Sequence, residues 1–300
     1  MHNKELINKI NKLKKEKNAV ILVHNYQRPE IYEIADFLGD SLGLSQEAAR
    51  TKADIIVFCG VTFMAETARL LSPNKKVLIP DKNAICPMAC MATDIGIKEM
   101  KKKYPKAAVV SYVNSTADVK AESDICCTSA NAVKVVNSLK EKEIIFVPDI
   151  NLGRYTQTKT DKKIILWEGN CYVHSNILPE HVKQAKENHP DALVYAHPEC
   201  SPEVLQYADE VLSTSGMIDR ARASDKKEFI IVTECGMTNL LSQKCPGKKF
   251  YAVGGVCFTQ KLVTLQKAYD SLVKEQYEVT LPEDIAKRAG KAVRRMLEIK

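Results

Sequence analysis

One short run occurs three times in this chain, as Ile21-Leu22-Val23-His24-Asn25-Tyr26, Val110-Ser111-Tyr112-Val113-Asn114 and Val194-Tyr195-Ala196-His197-Pro198-Glu199. Each begins apolar and ends polar, the pattern of a buried parallel strand that opens onto a site. His24, Tyr112 and His197 lie 88 and 85 residues apart. Working outward, the same period recurs in Asp40-Ser41, Thr128-Ser129 and Ser213-Thr214, where Ser41, Ser129 and Thr214 are again 88 and 85 apart. Each puts a hydroxyl before a helical stretch, which predicts three helix N-caps. A further apolar strand follows at 55–58, 144–147 and 229–232, and another begins after the lysine pairs Lys75-Lys76, Lys162-Lys163 and Lys248-Lys249. A cysteine comes next in every copy, and Cys86, Cys171 and Cys257 are separated by 85 and 86 residues. Tyr104-Pro105 and His189-Pro190 each close a charged helix just before a strand.

Strands that alternate with helical segments imply βαβ units and a parallel sheet. The expected fold is therefore α/β: three pseudo-threefold-related, three-layer α/β/α copies with the site at the central axis. The copies are drawn at 1–87 plus 258–300, 88–171 and 172–257. The chain ends, 3–17 and 258–300, read as helices with one strand at 277–281 that complete the first copy.

Copies of about 85 residues are individually small and should pack together rather than hang on linkers. No Pro/Gly/Ser-rich linker, apolar leader or run near the ~20 apolar residues of a membrane span occurs, so a soluble, cytoplasmic protein is expected. In a reducing compartment its 10 cysteines are thiols or metal ligands rather than disulfides. The net charge of +7, from 44 basic and 37 acidic residues, is spread over helix faces such as 98–103. No basic patch interleaved with aromatics points to nucleic acid. Mild basicity is compatible with anionic substrates.

In open parallel sheets, ligands sit beyond the carboxyl ends of the strands. Three sheets around one axis would face the pairs His24/Tyr26, Tyr112/Asn114 and His197/Glu199 toward each other, each pair on one side of its strand. The same arrangement converges Cys86, Cys171 and Cys257 on one point. Three soft thiolates suit an iron–sulfur cluster or zinc. A 4Fe-4S cluster with three protein ligands would leave one iron open as a Lewis acid, and zinc would call for a fourth ligand nearby in sequence. Cys59, Cys90, Cys126, Cys127, Cys235 and Cys245 do not follow the period and read as small buried hydrophobes; Cys200, beside Glu199, is ambiguous. Ser41, Ser129 and Thr214 are either plain caps or anion cradles at helix starts, and three cradles would suit a substrate with several carboxylate or phosphate groups.

His24-Asn25-Tyr26-Gln27, Gly39-Asp40-Ser41-Leu42, Phe63-Met64-Ala65-Glu66, Tyr112-Val113-Asn114-Ser115-Thr116, Thr128-Ser129-Ala130-Asn131, Asn151-Leu152-Gly153, His197-Pro198-Glu199-Cys200 and Gly254-Gly255-Val256-Cys257 stand in order along the whole chain. With them the chain resembles the quinolinate synthase family, the cluster-dependent enzymes (type A) of de novo NAD biosynthesis. The resemblance implies three α/β domains around one 4Fe-4S cluster held by Cys86, Cys171 and Cys257. It implies condensation of iminoaspartate with dihydroxyacetone phosphate to quinolinate, releasing phosphate and two waters, and a functional link to an iminoaspartate-producing enzyme. By motif position His24, Ser41, Tyr112, Val113, Asn114, Ser129, His197, Pro198, Glu199 and Thr214 would contact substrate. Glu199, the one carboxylate among the strand-end pairs, is the expected base. His24, Tyr26, Tyr112 and His197 would donate to oxyanions or shuttle protons. The sequence departs from the family at Phe258-Thr259-Gln260, after the last ligand, and at Tyr172. Another cluster-dependent hydro-lyase acting on a small carboxylate, or a non-enzymatic iron–sulfur sensor, would use the same cysteines.

Overall fold

The computed structural model describes residues 3–299. Its twelve strands form three four-stranded sheets, all with parallel pairing. The first holds β1 (Ala19–His24), β2 (Phe37–Gly39), β3 (Ile55–Cys59) and β4 (Lys76–Leu78) in the order β2-β1-β3-β4. The second holds β5 (Ala108–Tyr112), β6 (Ile125–Cys127), β7 (Glu143–Val147) and β8 (Lys163–Leu166) in the order β6-β5-β7-β8. The third repeats it with β9 (Leu193–Ala196), β10 (Glu210–Val211), β11 (Glu228–Val232) and β12 (Lys249–Ala252), ordered β10-β9-β11-β12. The period in the sequence is thus a period of topology.

Two small devices repeat with it. The carboxylates of Asp36, Asp124 and Asp209 accept from the backbone N–H of Ile21, Val109 and Val194 at 2.7, 2.8 and 2.7 Å, while their own N–H groups donate back to the same residues at 2.9 Å in each copy. Each aspartate therefore clamps the entry of a very short second strand to the central strand. The first lysine of each pair also has a defined task. Lys75, Lys162 and Lys248 reach back to the carbonyls of Thr51 and Ala53, of Leu139 and Glu141, and of Ala221 and Ser224. These lie at or just past helix C-termini, where carbonyls lack an internal partner and the dipole favours a cation.

The central strands are buried along their length, which is why they read as unbroken apolar runs rather than alternating ones. The helices Asn3–Glu16 and Leu265–Lys274 bury Leu6, Ile10, Ala268 and Leu272 against Ile21, Val23 and Val57 of the first sheet. The helix Glu283–Glu298 buries Ala289, Val293 and Met296 in a core shared by the first and second sheets. The chain's C-terminal end therefore ties two copies together.

Two expectations change. Residues 277–281 form no strand of their own: a single antiparallel bridge joins Glu278 to Leu78, and Tyr277 has φ 60°, which breaks the extension. The helix caps also shift by one residue. Asp40 and Ser213 are the caps, accepting from Gly43 and Gly216 N–H, and Ser41 and Thr214 are the first helical residues. Ser129 sits in the turn before Ala132–Ser138, where Asn131 holds the cap position. None of the three hydroxyls is used as a cap.

Candidate active site

The carboxyl ends of β1, β5 and β9 meet around one cavity. His24, Tyr26, Tyr112, Asn114, His197 and Glu199 all line it, with Ser41, Ser129 and Thr214 and the three cysteines Cys86, Cys171 and Cys257. The paired residues reach the same side although the strands themselves end at His24, Tyr112 and Ala196. Val113 is buried in the apolar core, its N–H on Cys127 O at 2.9 Å, and the buried Pro198 likewise falls outside the cavity lining. Cys200 packs in the third-sheet core with its sulfur 3.6 Å from Val232 O, which resolves its ambiguous reading as a core thiol.

The cysteine loops are fixed by one repeated hydrogen bond. Two residues before each cysteine, the carbonyls of Ala84, Gly169 and Gly255 accept from Thr62, Ile150 and Cys235 N–H at 2.8, 2.7 and 3.0 Å. Two glycines are required by close approach here. A Cβ on Gly169 would meet Pro148 O at 2.4 Å, and one on Gly254 would meet Thr233 O at 1.7 Å. A buried carboxylate adds a second strap in the third copy, where Glu234 Oε1 accepts from Cys257 N–H at 3.2 Å. Glu234 also pairs with Lys261 at 3.0 Å, and Lys261 donates to Tyr26 O, so this carboxylate anchors both the Cys257 loop and the Tyr26 loop.

Glu199 is the electrostatic centre. Its Oε1 accepts from Tyr112 OH at 2.6 Å, and its Oε2 lies 2.8 Å from His174 Nδ1, a charge contact out of line for a conventional hydrogen bond. Burial alone would raise its pKa, but the His174 ring beside it, with His197 and the Tyr112 hydroxyl, outweighs burial and holds the carboxyl below its ordinary range. Burial pushes Tyr26 and Tyr112 well above the usual phenol value, and Glu199 adds to the rise. Burial lowers His24 and His197 to about 3, with Lys261 adding to the effect on His24, so both rings are neutral at physiological pH.

His174 escaped the reading of the sequence, and so did Thr233, Glu234 and Gln260. A signal for His174 existed in its position three residues after Cys171. Thr233 Oγ1 contacts Tyr26 OH at 2.6 Å and His174 Nε2 at 2.8 Å. A continuous polar chain therefore runs Tyr26–Thr233–His174–Glu199, with both end groups on the cavity wall. A sulfur, a ring nitrogen and a carboxylate oxygen of Cys171, His174 and Glu199 lie within 4.8 Å of one another, a set able to hold a metal ion.

Residues 8–298 match the protein family described as "NadA: Quinolinate synthetase A protein". The chain belongs to the quinolinate synthase family. It is 55% identical to a quinolinate synthase of Methanosarcina barkeri over 100% of this chain and 99% of that one. It is 53% identical to one of Desulforudis audaxviator over 98% of each, and 52% identical to one of Geobacter metallireducens over 97% of this chain and 96% of that one. None of the helices of the described residues is long and apolar enough to cross a membrane.

Proposed function

We propose that this chain condenses iminoaspartate with dihydroxyacetone phosphate to give quinolinate, phosphate and two waters, with one 4Fe-4S cluster on Cys86, Cys171 and Cys257. The observation that carries the reading is the convergence of one thiol and one polar strand end from each sheet on a single cavity in a chain of this family.

The donor set fits a cluster. Cys86 interacts electrostatically with Cys257, and Cys171 with Cys86. Burial pushes Cys86 up to about 12 and raises Cys171 further, so these sulfurs need a bound cation to be thiolates. The Cys257 sulfur also lies 3.5 Å from the Thr259 hydroxyl. Hydrogen bonds to the sulfurs are what stabilise and tune such centres. When bound, the cluster supplies a Lewis-acidic iron for the loss of water.

The remaining chemistry falls to the chain. Ser41 and Thr214 at the starts of ten-residue helices, with Ser129 in a third turn, direct N–H groups and positive dipole ends at the cavity and receive carboxylate and phosphate oxygens. Glu199, kept ionised, takes the proton whose movement between adjacent carbons turns ketose into aldose. The Tyr26–Thr233–His174 chain returns a proton to the other side of the cavity. Iminoaspartate is an imine and hydrolyses in water, which favours a nearby enzyme that produces it. The ten cysteines are free thiols, consistent with work in the reducing cytoplasm. We draw the three copies at 1–87 plus 258–300, 88–171 and 172–257.

Anaerobic purification with iron and sulfide analysis, followed by product detection from the two substrates, tests the reading. About four irons per chain and quinolinate formation are expected. Stoichiometric zinc, or a full cluster with no quinolinate, would overturn it.

A further inference from the structure

His24 ends β1 at the cavity wall, and its Nδ1 faces two donors. The backbone N–H of Tyr26 lies 3.3 Å away and Gln260 Nε2 lies 3.4 Å away. A backbone N–H cannot be turned round, so Nδ1 must offer a lone pair. This decides the orientation of the next amide. Gln260 must present its NH2 to His24 and its Oε1 to Gln27, whose Nε2 donates to it at 2.6 Å. Reversing both amides would set Gln260 Oε1 against Nδ1, which would then carry a proton aimed at the Tyr26 N–H. Gln27 and Gln260 are both buried, so bulk water offers neither amide another partner. Gln27 Oε1 is left without a hydrogen bond.

We propose that Gln260 is a positioning residue which, with the Tyr26 N–H, holds His24 as the Nε2–H tautomer and makes it a fixed hydrogen-bond donor rather than a base. The third copy supports the same logic. There His197 Nδ1 lies 3.4 Å from the N–H of Glu199, again two residues on, and its Nε2 is 3.2 Å from Ser129 Oγ. Two copies thus carry one backbone lock on a histidine, and the first adds an amide lock from Gln260. With His24 and His197 set as donors and the Tyr112 hydroxyl donating to Glu199, the carboxylate is the one basic acceptor among these strand-end groups. The inference rests on the proposed reaction only for what His24 donates to; the tautomer itself is independent of substrate.

The test is ring-nitrogen NMR of the cluster-loaded enzyme labelled with 15N-histidine at neutral pH, with His24 signals identified by their loss in His24→Asn. A bare Nδ1 and a protonated Nε2 are expected; a proton on Nδ1 overturns the proposal. Gln260→Glu replaces the donor by an acceptor and should draw a proton onto Nδ1. Turnover should then fall by on the order of 10²-fold, the usual loss of one preorganised donor. A fully loaded Gln260→Glu enzyme with an unchanged His24 spectrum refutes the role of Gln260. Should the glutamate disturb folding, Gln260→Leu, which cannot donate, is read the same way: a rise in the Nδ1-protonated fraction supports the proposal and no change defeats it. A wild-type enzyme that makes no quinolinate would refute the proposed reaction while leaving the His24 spectrum to decide this one.

Discussion

Mild acid should weaken this fold through two buried histidines. His24 and His197 both have pKa values lowered by burial from 6.5 to about 3. Between those values the unfolded chain binds protons that the native chain refuses. The contribution of these two rings is therefore complete above about pH 6.5 and is lost as pH drops toward about 3, while the buried Asp149 carboxyl, raised by burial, works in the opposite direction. At about pH 5 an unfolded histidine lies roughly 1.5 units below its pKa, so each contributes a loss of about 2 kcal/mol and the pair about 4 kcal/mol. That is a large part of an ordinary stability of about 5–15 kcal/mol. Urea unfolding under anaerobic conditions, at steps from about pH 7.5 to 5, should show the midpoint falling by more than about 1 M. Cluster absorbance followed in the same samples separates loss of metal from loss of fold. The double variant His24→Asn/His197→Asn should have a flatter pH dependence. A wild-type midpoint that stays level over this range, or a double variant with the wild-type slope, would refute the reasoning.

Three further outcomes follow from the site. Serine in place of Cys86, Cys171 or Cys257 should abolish the cluster, and the same change at the core thiols Cys59 and Cys245 should leave iron content intact; equal loss at all five positions would break the argument from the repeat. Glu199→Gln retains a group that can accept from Tyr112 OH at 2.6 Å, so fold and iron should persist while turnover drops by on the order of 10²-fold or more. Near-normal turnover would move the base elsewhere. Thr233→Val cuts the contacts of 2.6 and 2.8 Å that join Tyr26 to His174 and should lower kcat by about tenfold or more with little change in KM; an unchanged kcat would show that no proton travels that path.

The repeat was legible because its strands are buried on both faces and so stand out as apolar runs such as Ile144-Ile145-Phe146-Val147. The second strands were not, because β2, β6 and β10 are two or three residues long, too short for any periodicity. What holds them is Asp36, Asp124 and Asp209, residues that on their own read as ordinary surface aspartates. The strand-end pairs and the cysteines were legible because they share the period. His174 and Gln260 both stand three residues after their cysteines, but Ala89 takes that place in the first copy, so the residue types do not recur, and Thr233 has no counterpart of its type at the repeat spacing. Their importance appears when Thr233 is found between Tyr26 and His174, and Gln260 between Gln27 and His24. Ser41 and Thr214 were found for an incomplete reason. Their neighbours Asp40 and Ser213 take the capping task, and the Thr214 hydroxyl instead accepts from Asn25 Nδ2 at 2.9 Å, with its own proton still to donate.

A strict threefold site would present three equivalent sets of groups and could not easily separate a base from its donors. The chain keeps the symmetry where equivalence is useful, with one thiol per sheet on loops strapped by equivalent backbone hydrogen bonds. It breaks the symmetry two residues beyond the strand-end donors, where Tyr26, Asn114 and Glu199 differ. The carboxylate is then tuned by unlike neighbours: a phenol from the second sheet, and an imidazole that follows Cys171 and leads through Thr233 to the phenol of the first. All three sheets therefore contribute to the ionisation of Glu199 or to the proton path leading from it. An isolated copy would hold one sulfur and an incomplete proton path, which gives a physical reason for the three small units to be carried on one chain.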